Sequence, residues 1–187
     1  MNYFFIYLIA LIYFSCDVVS KKYDWTYAEK KWAEAARIED TITGAKVSGD
    51  IYNVLDHNII PDNGTLNTDP INKLISSASN RGGGILKFPP GIYLTGGIIL
   101  KDNIEINIEE GAILKFSQNP VDYTPNVIGH WEGMEINNFR AFIYSNNAKN
   151  IAITGNGILD GNAGWDNWWS WSKNNLHKQK KNRPRLM

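Results

Sequence analysis

Residues 82–101, G-G-G-I-L-K-F-P-P-G-I-Y-L-T-G-G-I-I-L-K, decide the fold. Short apolar runs, rich in β-branched residues and closed by Gly or Pro, are typical of strands. Runs of the same kind continue to residue 160. The sequence predicts strands at 85–88, 92–95, 98–100, 104–108, 112–116, 142–144, 151–154 and 158–160.

Two of these runs resemble each other. In both, Asn precedes an alternating Ile pair, in Asn103-Ile104-Glu105-Ile106 and in Asn150-Ile151-Ala152-Ile153. Near-repeats of this kind indicate the stacked coils of a parallel β-solenoid. A hairpin sandwich would favour longer strands joined by two-residue turns, for which Asn156-Gly157 is the one good signal. The pattern therefore favours the solenoid.

Two helices are predicted before the strands. In segment 24–39, Trp and Ala recur at helical spacing between charged residues. In Thr68-Asp69-Pro70, a capping residue precedes a proline at the first helical position. Apolar residues then fall on one helix face, at Ile71, Leu74, Ile75 and Ala78.

Composition narrows the class of protein. The 187 residues include 19 basic and 19 acidic ones and are 43% hydrophobic, which excludes collagen-like, coiled-coil and disordered chains. A net charge of zero argues against a general nucleic-acid binder. The basic residues cluster near the C-terminus, where residues 172–187 contain no acidic residue.

The first residues predict export. The apolar run at 3–14 is shorter than the roughly 20 residues of a membrane-spanning helix, so it indicates a signal peptide over residues 1–20 and no transmembrane span. Cys16, the single cysteine, follows the run where a bacterial lipoprotein carries its lipid anchor. The expected location is secreted, periplasmic or outer-membrane lipoprotein, and the single cysteine excludes an internal disulfide.

Several blocks together resemble the polygalacturonases, the pectin-degrading enzymes of glycoside hydrolase family 28. The blocks are G-G-G-I-L-K-F-P-P-G-I-Y-L-T-G-G-I-I-L-K (82–101), E-E-G-A-I-L-K-F-S (109–117), W-E-G (131–133), N-A-K-N-I-A-I-T-G-N-G-I-L-D-G (147–161) and W-W-S-W (168–171). The resemblance covers residues 62–185. It implies an all-β, right-handed parallel β-helix with short N-terminal helices, and it implies hydrolysis of galacturonosyl linkages in pectin.

The family's inverting chemistry uses aspartates in an Asn-Thr-Asp motif and an Asp-Asp pair, followed by Gly-His-Gly and Arg-x-Lys. This sequence has no Asp-Asp, Gly-His-Gly or Arg-x-Lys. Its single Asn-Thr-Asp, at Asn67-Thr68-Asp69, precedes the Gly-rich entry strand and fits a helix start. We therefore assign no catalytic residue and expect no metal or cofactor.

The last residues, 182–187, resemble the start of the family's next coil. We therefore expect an N-terminal fragment of a longer enzyme. It would consist of a signal peptide at 1–20, a helical and linker segment at 21–61, and at 62–187 the cap and first coils of an incomplete β-helix. By itself such a fragment would be inactive.

The expected partner is pectin or a similar polygalacturonate. Indole rings stack on sugars and cationic side chains suit carboxylates, while His130 stands where the family often has Arg, which makes a carboxylate contact there depend on pH. The candidate substrate-binding residues are His130, Trp131, Glu132, Trp168, Trp169, Lys180 and Lys181. A solvated basic loop and packed tryptophans are the structural alternatives.

Two other functions stay open at this point. The chain could be a non-catalytic carbohydrate-binding or structural β-solenoid. A calcium-dependent, pectate-lyase-like protein would need an acidic cluster, which Asp160 and Asp166 alone do not make.

Overall fold

The computed structural model describes residues 24–131 and 133–166. Two compact units divide after Gly44. The first contains helix α1, Trp25–Thr41, where the Asp24 carboxylate accepts the Tyr27 amide at 3.3 Å and so caps the N-terminus. The helix predicted at 24–39 is confirmed, and it runs two residues further. Among the described residues, no helix combines the length and apolar character needed to cross a membrane.

The second unit, from residue 45, contains the β-structure. Its helices are the first 3-10 helix (Val54–His57), helix α2 (Thr68–Asn80) and the second 3-10 helix (Pro120–Tyr123). Its strands are β1 (Asp50–Asn53), β2 (Gly84–Phe88), β3 (Gly91–Thr95), β4 (Ile98–Leu100), β5 (Ile104–Ile108), β6 (Ala112–Phe116), β7 (Val127–Trp131), β8 (Met134–Asn138), β9 (Ile143–Ser145), β10 (Ala152–Thr154) and β11 (Ile158–Asp160). All eight predicted strands are present, to within one residue at each end.

The strands form three parallel sheets and one antiparallel hairpin. Sheet A has the order β1-β2-β5-β10, sheet B has β3-β6-β11, and sheet C pairs β4 with β9. The chain visits A, B and C in turn, so β2-β3-β4 is the first coil, β5-β6-β9 the second, and β10-β11 lie in the third. This arrangement confirms the predicted parallel β-helix.

The interior consists of equivalent residues stacked from coil to coil. Leu86 lies in register with Ile106 in sheet A, and Tyr93 with Leu114 in sheet B. All four are buried. Strands β2, β5 and β6 alternate buried and half-buried residues along their whole length, because successive side chains point to opposite faces of a strand. Burial of these columns is the main driving force for coil stacking.

The corner before sheet A explains the sequence repeat. Asn103 and Asn150 both have left-handed backbones, with φ of 57° and 55°. The Asn150 Nδ2 donates to Asn103 Oδ1 at 3.0 Å, so the two corners stack directly. Asn tolerates this conformation better than most residues, which accounts for its place before each Ile pair.

The turn signal at Asn156-Gly157 does not form a hairpin, in agreement with the preference for a solenoid over a sandwich. β10 and β11 lie in different sheets, and the turn between them is a corner of the third coil. The Gly157 amide donates to the Ile108 carbonyl of the coil below at 2.9 Å. The turn is shaped by this tertiary contact, which a local turn signal does not contain.

The first coil has a covered edge in every sheet. In sheet A the cover is β1. In sheet B the Asn63 and Asn67 amides donate to β3 carbonyls at 2.9 and 2.8 Å. In sheet C the Asn72 side chain accepts from the Ile99 amide at 2.8 Å and donates to the Gly97 carbonyl at 2.9 Å. Covered edges cannot pair with another chain.

The start of α2 differs from the prediction. The helix begins at Thr68, and Asn67 occupies the cap position without a side-chain capping bond. Thr68 Oγ1 accepts from the Gly96 amide at 2.6 Å. The Asn67 side chain is fully buried and bonds Ile60 as both donor and acceptor. Both residues therefore have structural roles, which agrees with excluding Asn67-Thr68-Asp69 as a catalytic motif.

Three strands were not predicted. β1 lies in the segment 21–61 that the sequence assigned to a helical and linker region, and it pairs with β2 in register. The β-structure therefore begins before residue 62. β7 and β8 form the antiparallel hairpin and lie outside the three coil sheets.

Substitution of Gly155 tests whether the third coil stacks closely on the second. Its φ is +97°, and an added Cβ would lie 2.0 Å from the Ile108 carbonyl oxygen. Gly155→Ala should lower the free energy of unfolding by about 2 kcal/mol or more, because strain and a backbone clash combine. Gly129→Ala is the control, since a Cβ there meets nothing within 4 Å. Equal denaturant midpoints for the two variants would contradict this account.

Asp62 belongs to the segment that covers sheet B. Its carboxylate accepts the Thr65 and Gly64 amides at 2.7 and 2.9 Å and the Thr65 hydroxyl at 2.7 Å, and these bonds lower the pKa of Asp62 from 3.8 to about 2. A lowered folded-state pKa stabilises the fold above pH about 4, and this contribution is lost as the pH falls towards 2.

The Asp62 carboxyl should therefore titrate near pH 2 by NMR. Thr65→Val should keep most of the shift, because the backbone amides are its largest causes. A midpoint near 3.8 in the unmodified chain would show that the turn does not form in solution.

Candidate functional site

A long insertion separates β6 from β9. In the first coil the step from sheet B to sheet C takes only Gly96 and Gly97, whereas in the second coil it takes residues 117–142. The insertion contains the second 3-10 helix and the β7–β8 hairpin. Loops on a rigid solenoid are the usual position for ligand-binding residues, so this insertion is the candidate functional region.

Aromatic packing holds the base of the insertion. The Tyr123 ring is fully buried and lies 5.2 Å from Phe142, which stacks on Phe116 at 4.7 Å. The Tyr123 hydroxyl donates to the Ser117 carbonyl at 2.6 Å. Burial, followed by the charge of Asp122, raises the pKa of Tyr123 far above its ordinary value. Tyr123 thus joins the insertion to the core as a neutral hydrogen-bond donor.

Polar contacts close the same base. Ser117 Oγ donates to Asp122 Oδ2 at 2.5 Å, and the Asp122 carbonyl accepts the Gly97 amide at 3.2 Å. The Arg140 guanidinium donates to the Thr124 carbonyl. Desolvation lowers the pKa of Arg140. The beginning and end of the insertion are therefore bonded to each other as well as to the first coil.

The hairpin presents the first candidate residue. His130 lies on β7, directly opposite Glu135 of β8, and it is exposed. Trp131 ends β7 and pairs with Met134 across the turn. Gly133 in this turn has a φ of +82°. The backbone thus brings His130 and Trp131 together at the tip of the insertion.

A second segment, which follows β11, leaves the solenoid beside the 117–142 insertion. After β11, the Asn162 side chain donates to the Phe116 carbonyl at 3.1 Å, and Gln118 Nε2 donates to the Asn162 carbonyl at 3.1 Å. The Asp160 carboxylate accepts the Asn162 amide at 2.7 Å. Residues 117–142 and the residues after 160 therefore start from one corner of the β-helix. Trp165, which is 71% exposed, follows this corner.

The described carboxylates near this corner are used in structural bonds. Asp122 accepts from Ser117, and Asp160 accepts from the Asn162 backbone. Within residues 24–131 and 133–166, no group of three or more His, Cys, Asp or Glu side chains converges as a metal site would require. The described residues therefore offer a polar and aromatic surface rather than a constellation for acid–base chemistry.

The structure describes only part of the predicted site, and the predicted substrate contacts stay a prediction. His130 and the backbone of Trp131 are described. Five candidates lie outside the described residues: Glu132, Trp168, Trp169, Lys180 and Lys181. Cys16 also lies outside them.

Sequence reasoning missed the residues that hold the insertion. The hairpin had a readable signal, because Val127 to Asn138 contains a two-residue turn with Gly in its second position. Tyr123 and Ser117 had no readable sequence signal, because their contacts depend on how the folded insertion packs on the coils.

Removing the Tyr123 hydroxyl tests the base of the insertion. Tyr123→Phe should lower the free energy of unfolding by about 1–2 kcal/mol, because the buried Ser117 carbonyl loses its donor. Amide exchange of the β7–β8 hairpin should become faster. Tyr27→Phe, at an exposed position of α1, is the control and should change stability by less than about 0.5 kcal/mol. Unchanged stability and exchange in Tyr123→Phe would contradict the assignment.

Several known proteins resemble this chain. It is 31% identical over 122 residues to an exo-poly-alpha-D-galacturonosidase of Dickeya chrysanthemi, which matches 62% of this chain and 20% of that protein. A hyperthermoactive exopolygalacturonase from Thermotoga maritima matches in structure with a TM-score of 0.69 and 33% identity, over 80% of this chain and 33% of that one. The Yersinia enterocolitica family 28 exopolygalacturonase has a TM-score of 0.53 and 33% identity, over 62% and 21%.

No family model matches the chain. The chain spans about a fifth of the length of the Dickeya protein and about a third of the Thermotoga one. Within that part, both the sequence and the parallel coils agree with these enzymes. The resemblance predicted from the sequence is thus confirmed: over the part of them that it covers, the chain is similar in sequence and structure to these polygalacturonases.

Proposed function

We propose that this chain is the N-terminal part of an exported glycoside hydrolase that cleaves galacturonosyl linkages in pectin. The observation that carries the proposal is the likeness to the Thermotoga exopolygalacturonase, which covers 80% of the chain at 33% identity. Sequence and fold agree over the same region.

The proposed reaction is an inverting hydrolysis. One carboxylic acid protonates the glycosidic oxygen while a carboxylate on the opposite face activates a water, and the two lie about 6.5–9.5 Å apart. The 187 residues lack the Asp-Asp and Gly-His-Gly motifs of the family, and the described Asp122 and Asp160 have structural partners. In this proposal the catalytic carboxylates belong to further coils of a longer protein.

The role of this part would then be to build one wall of the substrate groove. The β7–β8 hairpin and the segment after β11 leave from one corner, so they would extend along the same side of the β-helix. The proposed substrate contacts are His130, Trp131, Glu132, Trp168, Trp169, Lys180 and Lys181.

Export is proposed on the sequence alone. The apolar run at 3–14 would act as a signal peptide, and Cys16 would be either discarded with it or lipidated. The domain division at residues 20 and 61 is likewise a proposal, with the addition that β1 joins the β-helix from within the second segment.

A second candidate is a non-catalytic carbohydrate-binding β-solenoid. The absence of the family's carboxylate motifs from these 187 residues favours it for the chain acting alone. The two proposals predict different effects on polygalacturonate, because a hydrolase creates new reducing ends and a binding protein does not.

Reducing-end release from polygalacturonate separates the two candidates. The 187-residue chain should release none, because it lacks the carboxylates that the reaction needs. A protein extended with the genomic sequence after Met187, read in the frame that encodes Asn-Thr-Asp, Asp-Asp and Gly-His-Gly, should release galacturonate. Hydrolysis by the 187 residues alone would contradict the proposed division, and downstream sequence without these motifs would contradict the hydrolase.

A further inference from the structure

A cleft lies in the N-terminal part of the described β-helix unit, within the cap, which is the segment from β1 to Arg81 that precedes the first coil. It is a cavity of about 420 Å³ between the first 3-10 helix and one side of α2. Its lining includes His57, Asn58, Pro70, Lys73, Ser77 and Arg81. None of these residues belongs to the 117–142 insertion or to the segment after β11, so the cleft is separate from the candidate site above.

Tyr52 positions two of the basic residues. Arg81 Nε donates to the Tyr52 hydroxyl at 3.3 Å, and the guanidinium lies 5.2 Å from the centre of the Tyr52 ring. The His57 ring packs edge-on against the same ring, with centroids 6.0 Å apart. Tyr52 is itself buried and bonds Asp50 at 3.4 Å. Arg81 and His57 are therefore held in place by a residue of the core.

The cleft contains donors that the protein does not use. Among the described residues, the terminal nitrogens of Arg81, the Lys73 ammonium and the His57 ring nitrogens have no hydrogen-bond or ion-pair partner. No acidic residue lines the cavity. Two permanent cations and a histidine thus surround one space with open hydrogen-bonding capacity, which is the chemistry that binds a carboxylate.

The remaining lining distinguishes a sugar acid from a simple anion. Ser77 and Asn58 provide a hydroxyl and an amide suited to sugar hydroxyls, and Pro70 provides an apolar surface for the C–H face of a ring. The volume is within the about 300–1,000 Å³ of small-molecule sites. An inorganic anion would use the cations alone and leave most of this lining without a contact.

We propose that this cleft binds a uronate residue of an anionic polysaccharide, as an anchoring site away from the catalytic region. The choice of galacturonate as the sugar rests on the proposed function, whereas the carboxylate chemistry rests on Arg81, Lys73 and His57. Such a site would hold the polymer on the cap while another stretch of it lies along the groove, and this raises the local concentration of substrate.

The test is titration of trigalacturonate into the full 187-residue chain at low ionic strength, followed by NMR. We expect saturable shifts of Ser77 and His57. Lys73→Glu should weaken this binding by about tenfold or more, because it removes a charge-assisted hydrogen bond and adds repulsion. Lys73 is exposed and has no partner in the described structure, so the variant should fold. Lys101→Glu, at an exposed lysine of the first coil, should stay within about twofold of the unmodified chain.

Neutral galactotriose and inorganic phosphate are the matched ligands. Galactotriose should bind at least about tenfold more weakly than trigalacturonate, because it lacks the carboxylates. Phosphate binding as tight as that of trigalacturonate would overturn the assignment to a uronate, and an equal response of Lys73→Glu and Lys101→Glu would overturn the site. These measurements do not involve hydrolysis. The extended protein could therefore hydrolyse polygalacturonate while the cleft shows no uronate binding, or the cleft could bind uronate while the extended protein shows no hydrolysis, and the two results are distinguishable.

Discussion

The β-helix depends on a corner that is built in the same way twice. Asn103 and Asn150, 47 residues apart, take the same left-handed conformation and are joined through their side chains. Asn103 lies directly before β5 and Asn150 lies two residues before the start of β10, so the bond between the two corners aligns the starts of these strands. Because side chains alternate along a strand, a slip of one residue would turn the interior columns outwards. The bonded corner is therefore consistent with the register of β10 on β5, in which Ile153 lies opposite Ile106.

Covering the first coil is a separate requirement, because parallel strands leave unpaired backbone groups at each end of a stack. The chain meets it with one added strand and with asparagine side chains. The Asn72 side chain accepts from Ile99 of β4 and donates to the carbonyl of Gly97 just before it, as the backbone of a neighbouring strand would. Asn67 is fully buried and bonds Ile60 of the preceding loop as both donor and acceptor. Asparagine suits both places because one side chain offers a donor and an acceptor.

The local sequence pattern was enough to predict the strands of the coils. It did not predict features that depend on contacts between residues distant in sequence. The strands at 98–100, 104–108, 112–116 and 158–160 have the predicted bounds, and in the first three of them alternate residues are buried in a common interior. The Asn156-Gly157 turn signal did not mark a hairpin, because the Ile108 carbonyl beneath it shapes a coil corner. Thr68 was taken as a cap because its bond to Gly96 crosses 28 residues. The basic cleft could not be predicted, since only the packing on Tyr52 brings His57 and Arg81 together.

The two regions proposed for ligand binding differ in how the fold supports them. The β7–β8 hairpin extends from a corner where Tyr123 and Phe142 fill the interior, so its sequence can change without disturbing the coils. Arg81, in contrast, follows α2 directly, and its Tyr52 partner is part of β1, so any change there alters the cover of sheet A. A site on the cap is thereby fixed to the covered edge of sheet A. A polymer held there would be attached through residues that the covered first coil holds in place, and none of these residues belongs to the 117–142 insertion.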